Sequence, residues 1–595
     1  DSPIVYYGRS SWFIKTTEFR KTLMEVNDSI NWIPDHIRRG RMGDFLENNI
    51  DWAVSRDRFW GTPLNLWICE DDPAHILAVD SAAELEKHAV DFPEGELDLH
   101  KPYVDHVHCK CPECGGRMTR TPEVIDCWLD SGAMPYAQWH YPHENKDLFE
   151  SLFPADFITE AVDQTRGWFY SLIALGSLLF KTSPFKNCIV MGHVLDAQGR
   201  KMSKSIGNVI EPRDAFDQYG ADAFRWLFYR ENNPWIPTRF AMGDEEIDAV
   251  DGDRPKNSLR EVQKNFFLTL WNVYSFFVIY ANIDGFDPRD HSVDRDELNM
   301  SDRWVLSRLN HTVERVCECL DDYQVTPAAR SLEALLDEVS NWYVRRCRPR
   351  FWKPEKDTDK WAAYSTLYEV LLNFIRLLAP FSPFLSEYIY RNLGRPEDLP
   401  ESVHLNEYPQ ADISFMNTDL EEAMSFVRDC CNEGRRLRSR SGIKVRQPLG
   451  VMYVKLKKGK LHKTVKTMTD LIIEELNVQK VEFVDNFDHL RSFRLKPNFK
   501  ALGPKYGSAM KKIQSFFESI EDHSEIADNY MRNNLLEINI EGEHYSFGPD
   551  DFEVEKFPAP NILIGETTAL DSTVTQELRE AGLARRVVTP RGGLG

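Results

Sequence analysis

From about residue 260 onward, apolar residues fall into helical step for roughly 170 positions, and this run limits the fold more than any other feature of the chain. Leu306, Leu309, Val313, Val316 and Leu320 stand 3, 4, 3 and 4 apart; Leu367, Leu371, Phe374 and Leu378 stand 4, 3 and 4 apart. Each set makes one apolar stripe, and such a helix is stable only when another element covers the stripe. Pro380 has no N–H to give and clashes with the turn before it, so it stops the second helix. Residues 261–450 are therefore expected to form an all-helical bundle.

Upstream the period changes. Trp168 to Phe180 is an apolar helical run, a short strand passes through Ile189, Val190 and Met191, a turn follows at Asp196-Ala197-Gln198-Gly199, and a helix is expected around Ala221 to Tyr229. One half of a parallel α/β sheet produces this alternation, so residues 151–260 are read as such a half. Residues 1–60 mix short strand-like runs, Ile4-Val5-Tyr6-Tyr7 among them, with amphipathic pieces that return into the same sheet. Residues 61–150 are rich in Pro, Gly, Asp and Cys and read as an insertion held by something other than a large core. Beyond 450, a strand (Val451 to Leu456), a helix (Thr464 to Leu476) and a strand (Lys480 to Val484) open a small α+β domain that occupies 451–595. The fold class is thus α/β plus all-α.

Acidic residues outnumber basic ones, 94 to 72, for a net charge of −22. That field excludes a protein drawn to nucleic acid by its overall charge, though a local basic face remains open. On the length of its apolar runs the chain is expected to cross no bilayer, which takes ~20 residues. Eleven cysteines are too dilute for a disulfide scaffold and read as thiols or metal ligands in a reducing cytoplasm. The chain opens at Asp1 without a Met and closes on Gly592-Gly593-Leu594-Gly595, so both ends read as cut.

Three constellations can carry chemistry. Lys201-Met202-Ser203-Lys204-Ser205, followed by Ile206-Gly207-Asn208, places two ammonium groups on long stems in a loop after a sheet strand. Such a loop can close on a triphosphate and stabilise charge on a pyrophosphate leaving group; without its context it would read as a solvated basic loop. Cys109-Lys110-Cys111-Pro112-Glu113-Cys114-Gly115-Gly116, with Cys69 upstream, has the turn of a zinc knuckle. Cys111, Cys114 and Cys69 are the first ligands expected; the fourth is open between Cys109, Asp72, His106 and His108, and because the upstream pair has lost its second thiol a metal-free knuckle is the competing reading. Third, Trp342, Tyr343, Arg345, Arg346, Arg348, Arg350, Phe351 and Trp352 crowd one helix end, and Arg435, Arg436, Arg438, Arg440, Lys444 and Arg446 crowd a second segment. Arginines with aromatics can neutralise phosphates and stack unpaired bases; the competing reading has the arginines offset a helix C-terminus while the aromatics pack inside.

The Lys201 to Ser205 loop resembles the signature of class I aminoacyl-tRNA synthetases, and the chain is similar to the isoleucine branch of that family almost end to end. The resemblance rests on Asp51-Trp52-Ala53-Val54-Ser55-Arg56-Asp57-Arg58-Phe59-Trp60-Gly61-Thr62-Pro63, on Asp126-Cys127-Trp128-Leu129-Asp130-Ser131-Gly132, and on Glu160-Ala161-Val162-Asp163-Gln164-Thr165-Arg166-Gly167-Trp168-Phe169. Asn341-Trp342-Tyr343-Val344-Arg345-Arg346 and Lys496-Pro497-Asn498-Phe499-Lys500-Ala501-Leu502-Gly503-Pro504-Lys505 complete it. A valyl or leucyl enzyme matches the Trp128 and Trp168 segments less well.

The resemblance implies the second half of a Rossmann-like catalytic core at 151–260, an anticodon-binding bundle at 261–450, and ATP-dependent conversion of L-isoleucine to its adenylate with transfer to tRNA(Ile). It implies that Lys201 and Lys204 act on ATP, with Met202, Ser203 and Ser205 completing the loop. Glu160 would face the substrate amine, Asp163 and Gln164 the ribose hydroxyls, and Trp128 and Trp168 would wall the isoleucine side chain. Trp342, Arg345, Arg346 and Arg350 would touch tRNA. MgATP and a zinc ion are the implied cofactors, and a cytoplasmic monomer the implied state. No His-x-Gly-His motif and no editing insertion are present, so the chain is expected to be a carboxy-terminal portion, nearly inactive alone in adenylate formation. A non-catalytic tRNA-binding protein is the reading from another class.

Overall fold

The computed structural model describes residues 8–588 apart from 96, 243–258, 292–293, 395, 397–398 and 521–522. The expected strand-like run Ile4 to Tyr7 lies outside the described residues. The chain divides into two compact units, Asp1–Ser292 with Thr312–Lys356 and Leu367–Pro409, and Val293–His311 with Asp357–Thr366 and Gln410–Gly595. The residues expected as one bundle are thus shared between two units.

In the first unit a three-stranded parallel sheet runs in the order Ala155–Ala161, Phe185–Met191, Asn31–Ile33. Cys188, Ile189 and Val190 of the central strand are buried in sequence, as a strand covered on both faces requires. Against the sheet lies the helix Trp168–Phe180, whose residues Phe169 to Ser177 are all buried. It shares a core with Leu23 and Val26 of the helix Arg20–Ser29, with Trp32, and with Phe185. The helix Cys127–Ala137 crosses it closely: a Cβ on Gly132 would sit 2.9 Å from the backbone of Ser171, so only glycine permits this approach.

The insertion carries a four-stranded antiparallel sheet ordered Ile76–Ala78, Leu66–Cys69, Arg117–Arg120, Cys109–Lys110. Its core is small: Trp67, Val79, Leu85, Val104, Val107 and Met118 with Cys69, Cys109 and Cys111.

Both predicted helical stripes are found. They lie on the helices Met300–Asp321 and Thr358–Leu378, and Leu306, Leu309, Val313, Val316, Leu367, Leu371, Phe374 and Leu378 are buried. The expectation of no apolar run of bilayer length fails. Lys264 and Asp284 bracket 19 uncharged residues, and the helix Leu259–Asp284 is long and apolar enough to cross a membrane by length and composition. It is also a packing helix of this unit: Phe266 stacks on Trp226 at 3.9 Å, and Leu270, Val273 and Phe277 are buried.

In the second unit Leu449–Lys455 and Val478–Val484 pair in parallel around the helices Lys460–Lys466 and Thr469–Leu476, the β-α-β unit read from the sequence. Thr568–Asp571 and Ile562–Ile564 extend this sheet. A further antiparallel pair, Arg491–Pro497 with Phe552–Pro558, packs on Leu502, Ile513 and Phe517. Asn498 caps the helix Phe499–Tyr506 there, and Lys505 binds the buried carboxylate of Asp551 at 2.6 Å.

Candidate active site and metal centre

Because the three strands run in parallel, their carboxyl ends share one edge of the sheet, the edge at which open α/β sheets bind ligands. Glu160 stands there, one residue from the end of its strand and exposed. The turn Val162–Arg166 follows and carries Asp163, exposed, and Gln164, half-buried. Gln164 Oε1 accepts the N–H of Trp168 at 2.9 Å, which satisfies an otherwise unpaired donor at the start of the helix Trp168–Phe180. Its amide nitrogen lies 3.5 Å from Asp163 Oδ2.

Trp128 comes to the same place from another element. Asp126 caps the helix Cys127–Ala137 by accepting the Trp128 N–H at 2.7 Å, and its carboxylate pairs with Arg56. The Trp128 ring then lies against Gly167, where a Cβ would sit 3.0 Å from it. Trp168 donates its indole N–H to the carbonyl of Ser131, three residues after Trp128, at 3.1 Å. Trp128 is 43% exposed and Trp168 partly so, hence both rings keep an open face.

The Lys201 loop leaves the central strand through Val194–Leu195, which pairs with Thr238–Arg239. A turn from Asp196 to Gly199, with φ +78° at Gly199, reverses the chain so that Leu195 bridges Lys201. Lys201 and Lys204 are exposed, and among the described residues neither has an ion pair, so both ammonium charges stand uncommitted. Ser203 and Ser205 share a hydroxyl hydrogen bond of 2.8 Å. Met202 is half-buried beneath them.

In the insertion, the ligand atoms of Cys69, His75, Cys111 and Cys114 all lie within 4.8 Å of one another. Cys69 Sγ is 3.5 Å from Cys114 Sγ, and Cys111 Sγ is 3.6 Å from His75 Nδ1. Bond lengths of about 2.3 Å for sulfur and about 2.0 Å for nitrogen give a zinc tetrahedron edges of about 3.5–3.8 Å, so this donor set fits the ion. The far nitrogen of His75 faces Glu113 at 3.3 Å and Asp72 at 3.6 Å, carboxylates that would hold the ring with Nδ1 turned inward. Burial works against ionisation of the Cys111 thiol, but the N–H groups of Cys114 and Glu113 and the Cys114 and Cys69 thiols hold it down to about 7. Gly116 leaves room here, since a Cβ would meet the Asp71 carboxylate and sit 3.2 Å from Cys69 Sγ.

Cys109 is the correction. It pairs with Met118 in the sheet, is fully buried in the apolar core, and burial with the nearby Asp91 charge pushes its thiol up to about 11. Of the other open candidates, Asp72 stands behind His75, His108 is bonded to Asp91 at 2.7 Å, and His106 is not in the group. The ligand missed was His75. Its signal was the hairpin: Ile68 pairs with Ile76, so Cys69 and His75 stand opposite each other.

The aromatic and basic cluster is rearranged too. Trp342 lies in a π-helical stretch, Val339–Val344, and is 5% exposed, so it cannot stack a base; Tyr343 and Phe351 are covered as well. The guanidinium groups of Arg345 and Arg346 sit 5.8 and 5.5 Å from the Trp342 ring centre, and Arg350 reaches Cys347 Sγ at 3.7 Å. The open aromatic is Trp352, 56% exposed, with Arg348 also exposed. In the second segment Arg438 is 1% exposed and donates to the carbonyls of Lys444, Gln447, Leu476 and Asn477, and Arg435 pairs with Glu475. Arg436, Arg440, Lys444 and Arg446 remain on the surface.

Residues 4–234 match the family of tRNA synthetases class I (I, L, M and V), and residues 302–453 match the anticodon-binding domain of tRNA ligases. The isoleucine–tRNA ligases of Clostridium novyi and Clostridium acetobutylicum are each 45% identical over 99% of this chain, and that of Bacillus thuringiensis is 43% identical. The chain spans about half, 55%, of the length of these relatives. Among solved structures, a leucyl enzyme of Agrobacterium radiobacter in a ternary complex shares 20% identity over 64% of this chain and 46% of its own, at a TM-score of 0.45. A methionyl-tRNA synthetase of Mycobacterium tuberculosis shares 15% over 68% and 70%, at 0.47.

Proposed function

From the premise that this chain is a homologue of the isoleucine–tRNA ligases, with a class I tRNA synthetase domain and an anticodon-binding domain, we propose that it serves the ATP-dependent activation of L-isoleucine and its transfer to tRNA(Ile). The observation that carries this reading is the convergence of Trp128, Gly167, Trp168 and Gln164 at the carboxyl edge of the sheet, beside Glu160 and Asp163. The two open indole faces wall the branched apolar side chain. Glu160 receives the substrate ammonium, and Asp163 with the Gln164 amide nitrogen, 3.5 Å from it, addresses the ribose diol.

In activation, an oxygen of the isoleucine carboxylate attacks the α-phosphorus of ATP, the bond to the bridging oxygen breaks, and pyrophosphate leaves. Magnesium enters as part of the MgATP substrate. Lys201 and Lys204 have no partner of their own to give up, so their charge is available to the departing phosphates. Catalysis of this kind is positioning and charge stabilisation without a covalent enzyme intermediate.

Cys69, His75, Cys111 and Cys114 hold a zinc ion, which supplies four bonds to a sheet with a small core and takes no part in the reaction. For tRNA, Trp352 takes the stacking role once read for Trp342, with Arg345 and Arg348 beside it as phosphate contacts. Eleven unpaired thiols suit a reducing cytoplasm.

The test is calorimetric titration with a non-hydrolysable isoleucyl-adenylate analogue and its leucyl and valyl counterparts. Tightest binding of the isoleucyl compound, weakened about tenfold or more by Trp128→Ala, is expected. A preference for the leucyl or valyl compound overturns the assignment of isoleucine, and binding of none overturns the substrate site.

A further inference from the structure

One amide side chain closes the Lys201 loop on itself. Asn208 Oδ1 accepts the N–H of Ser203 at 2.9 Å, while its Nδ2 donates to Asp196 Oδ2 at 2.9 Å and to the carbonyl of Lys201 at 3.3 Å. Asn208 therefore ties the rising limb of the loop to its base at two points. The base is itself fixed. Asp196 is only 6% exposed, and its carboxylate also accepts the N–H of Gln198 at 3.1 Å, the N–H of Arg200 at 2.8 Å and Arg200 Nε at 2.8 Å. Between the anchors the chain turns tightly: Ile206 N–H reaches Ser203 Oγ at 3.3 Å, Gly207 N–H reaches Ser203 O at 3.1 Å, and Gly207 adopts φ +74°.

The chemistry of the position is narrow. It asks for a neutral group that donates toward a carboxylate and accepts from a backbone N–H at once, which a carboxamide does and a hydroxyl or carboxylate does not in this fixed geometry. Aspartate would set a second negative charge against Asp196 and lose the donor. Lysine side chains lose much rotational freedom when they engage a ligand, so a backbone already held in place leaves only that side-chain cost to binding.

We infer that Asn208 is a positioning residue of the loop: by clasping Ser203 to Asp196 and Lys201 it holds the backbone from which Lys201 and Lys204 reach a polyphosphate. The inference rests on the nucleotide reading of the loop given above. Where the competent form is only partly populated, apparent affinity falls by that fraction, so a clasp that keeps the loop formed shows directly in ligand retention.

The experiment uses the whole chain and two readouts. Hydrogen exchange followed by mass spectrometry reports the segment 199–208, and equilibrium dialysis with MgATP reports retention. In Asn208→Ala, exchange at Ser203, Ile206 and Gly207 is expected to accelerate about tenfold, with ATP retention weakened by about the same factor. Exchange in the helix Trp168–Phe180 and the melting temperature should not move, which separates a local clasp from general destabilisation. Asn208→Asp should be worse than alanine, since it sets a second carboxylate against Asp196 and the Lys201 carbonyl and loses the donor. Unchanged exchange in Asn208→Ala overturns the clasp, as does an Asn208→Asp variant that exchanges no faster than the unmodified chain. Loosened exchange with undiminished ATP retention overturns the positioning role. If the unmodified chain retains no ATP, the nucleotide reading fails, and the exchange result alone decides the clasp.

Discussion

Fifteen buried residues, none of them charged, form the core shared by the parallel sheet and the helix Trp168–Phe180, whereas the insertion collects nine, three of which are cysteines. In the first region the groups proposed to face a ligand, Glu160, Asp163, Lys201 and Lys204, are exposed and contribute nothing to the core. In the second, Cys69 and Cys111 are core and proposed ligand at once. A small sheet with few apolar residues is marginal without a cross-link, so the insertion uses its chemistry to fold. The sheet folds without its chemistry, which leaves its loop ends free to act.

The largest effect expected from this contrast is at the metal. Structural zinc contributes on the order of 10 kcal/mol to the fold it closes, so Cys111→Ser should abolish bound zinc by elemental analysis and open residues 66–120 to proteolysis. Cys109→Ser should keep the metal. Zinc retained by Cys111→Ser, with the sheet still protected, would break the comparison at once. In the parallel core, Ile173→Ala should cost about 2–5 kcal/mol by denaturant titration through loss of buried methyl groups, with zinc content unchanged. Gly132→Ala should cost about 1–3 kcal/mol by forcing apart the two helices that meet there. Lys204→Ala should leave the melting temperature in place and weaken ATP retention about tenfold, the mark of a group outside the fold's own support. The smallest effect is in acid. The Asn208 amide, against the opposing effect of burial and with help from Arg200, holds the Asp196 carboxyl down at about 2, below the usual carboxylate range. Its contribution is then fully present above pH ~4 and lost as pH falls toward 2. Loop exchange should rise over that window, and a rise confined to neutral pH would assign the loop's order to another group.

Much of the sheet region was legible because its signals are local. Trp168 to Phe180 carries no charge and only two serines among its apolar residues, and the helix has those bounds; the turn at Asp196 to Gly199 is where its residue types place it. The parallel ladder runs through Glu160, which pairs with Val190, and ends one residue later at Ala161. The insertion was less legible because its key pairing is across strands. Cysteine spacing led to Cys109, two residues from Cys111, yet Cys109 lies within the strand Cys109–Lys110 opposite Met118 and is fully buried, while Cys111 stands past the strand end in the turn closed by its N–H to the Gly116 carbonyl. Asp71-Asp72-Pro73 is a turn sequence, and treating it as a hairpin would have set His75 opposite Cys69. In the helical region, Tyr343, Cys347 and Phe351 form a buried stripe at helical spacing, and Trp352, one residue on, turns out to the surface. Residue type alone ranked Trp342 and Trp352 equally.

The crossing at Gly132 has a bearing on size. Trp128 starts the helix that touches Ser171 backbone to backbone, and the Trp168 indole is tied to Ser131 on that same helix. Both rings are therefore mounted on helices whose crossing leaves no room for a side chain at Gly132, and in the site proposed above the width between them is a fixed gauge. A gauge of this sort refuses what is too wide far more firmly than what is too narrow, because a missing methylene forfeits only about 1–3 kcal/mol of contact. On that proposal, admitting a bulkier amino acid would mean trimming an indole, since the helices cannot part without losing their seat.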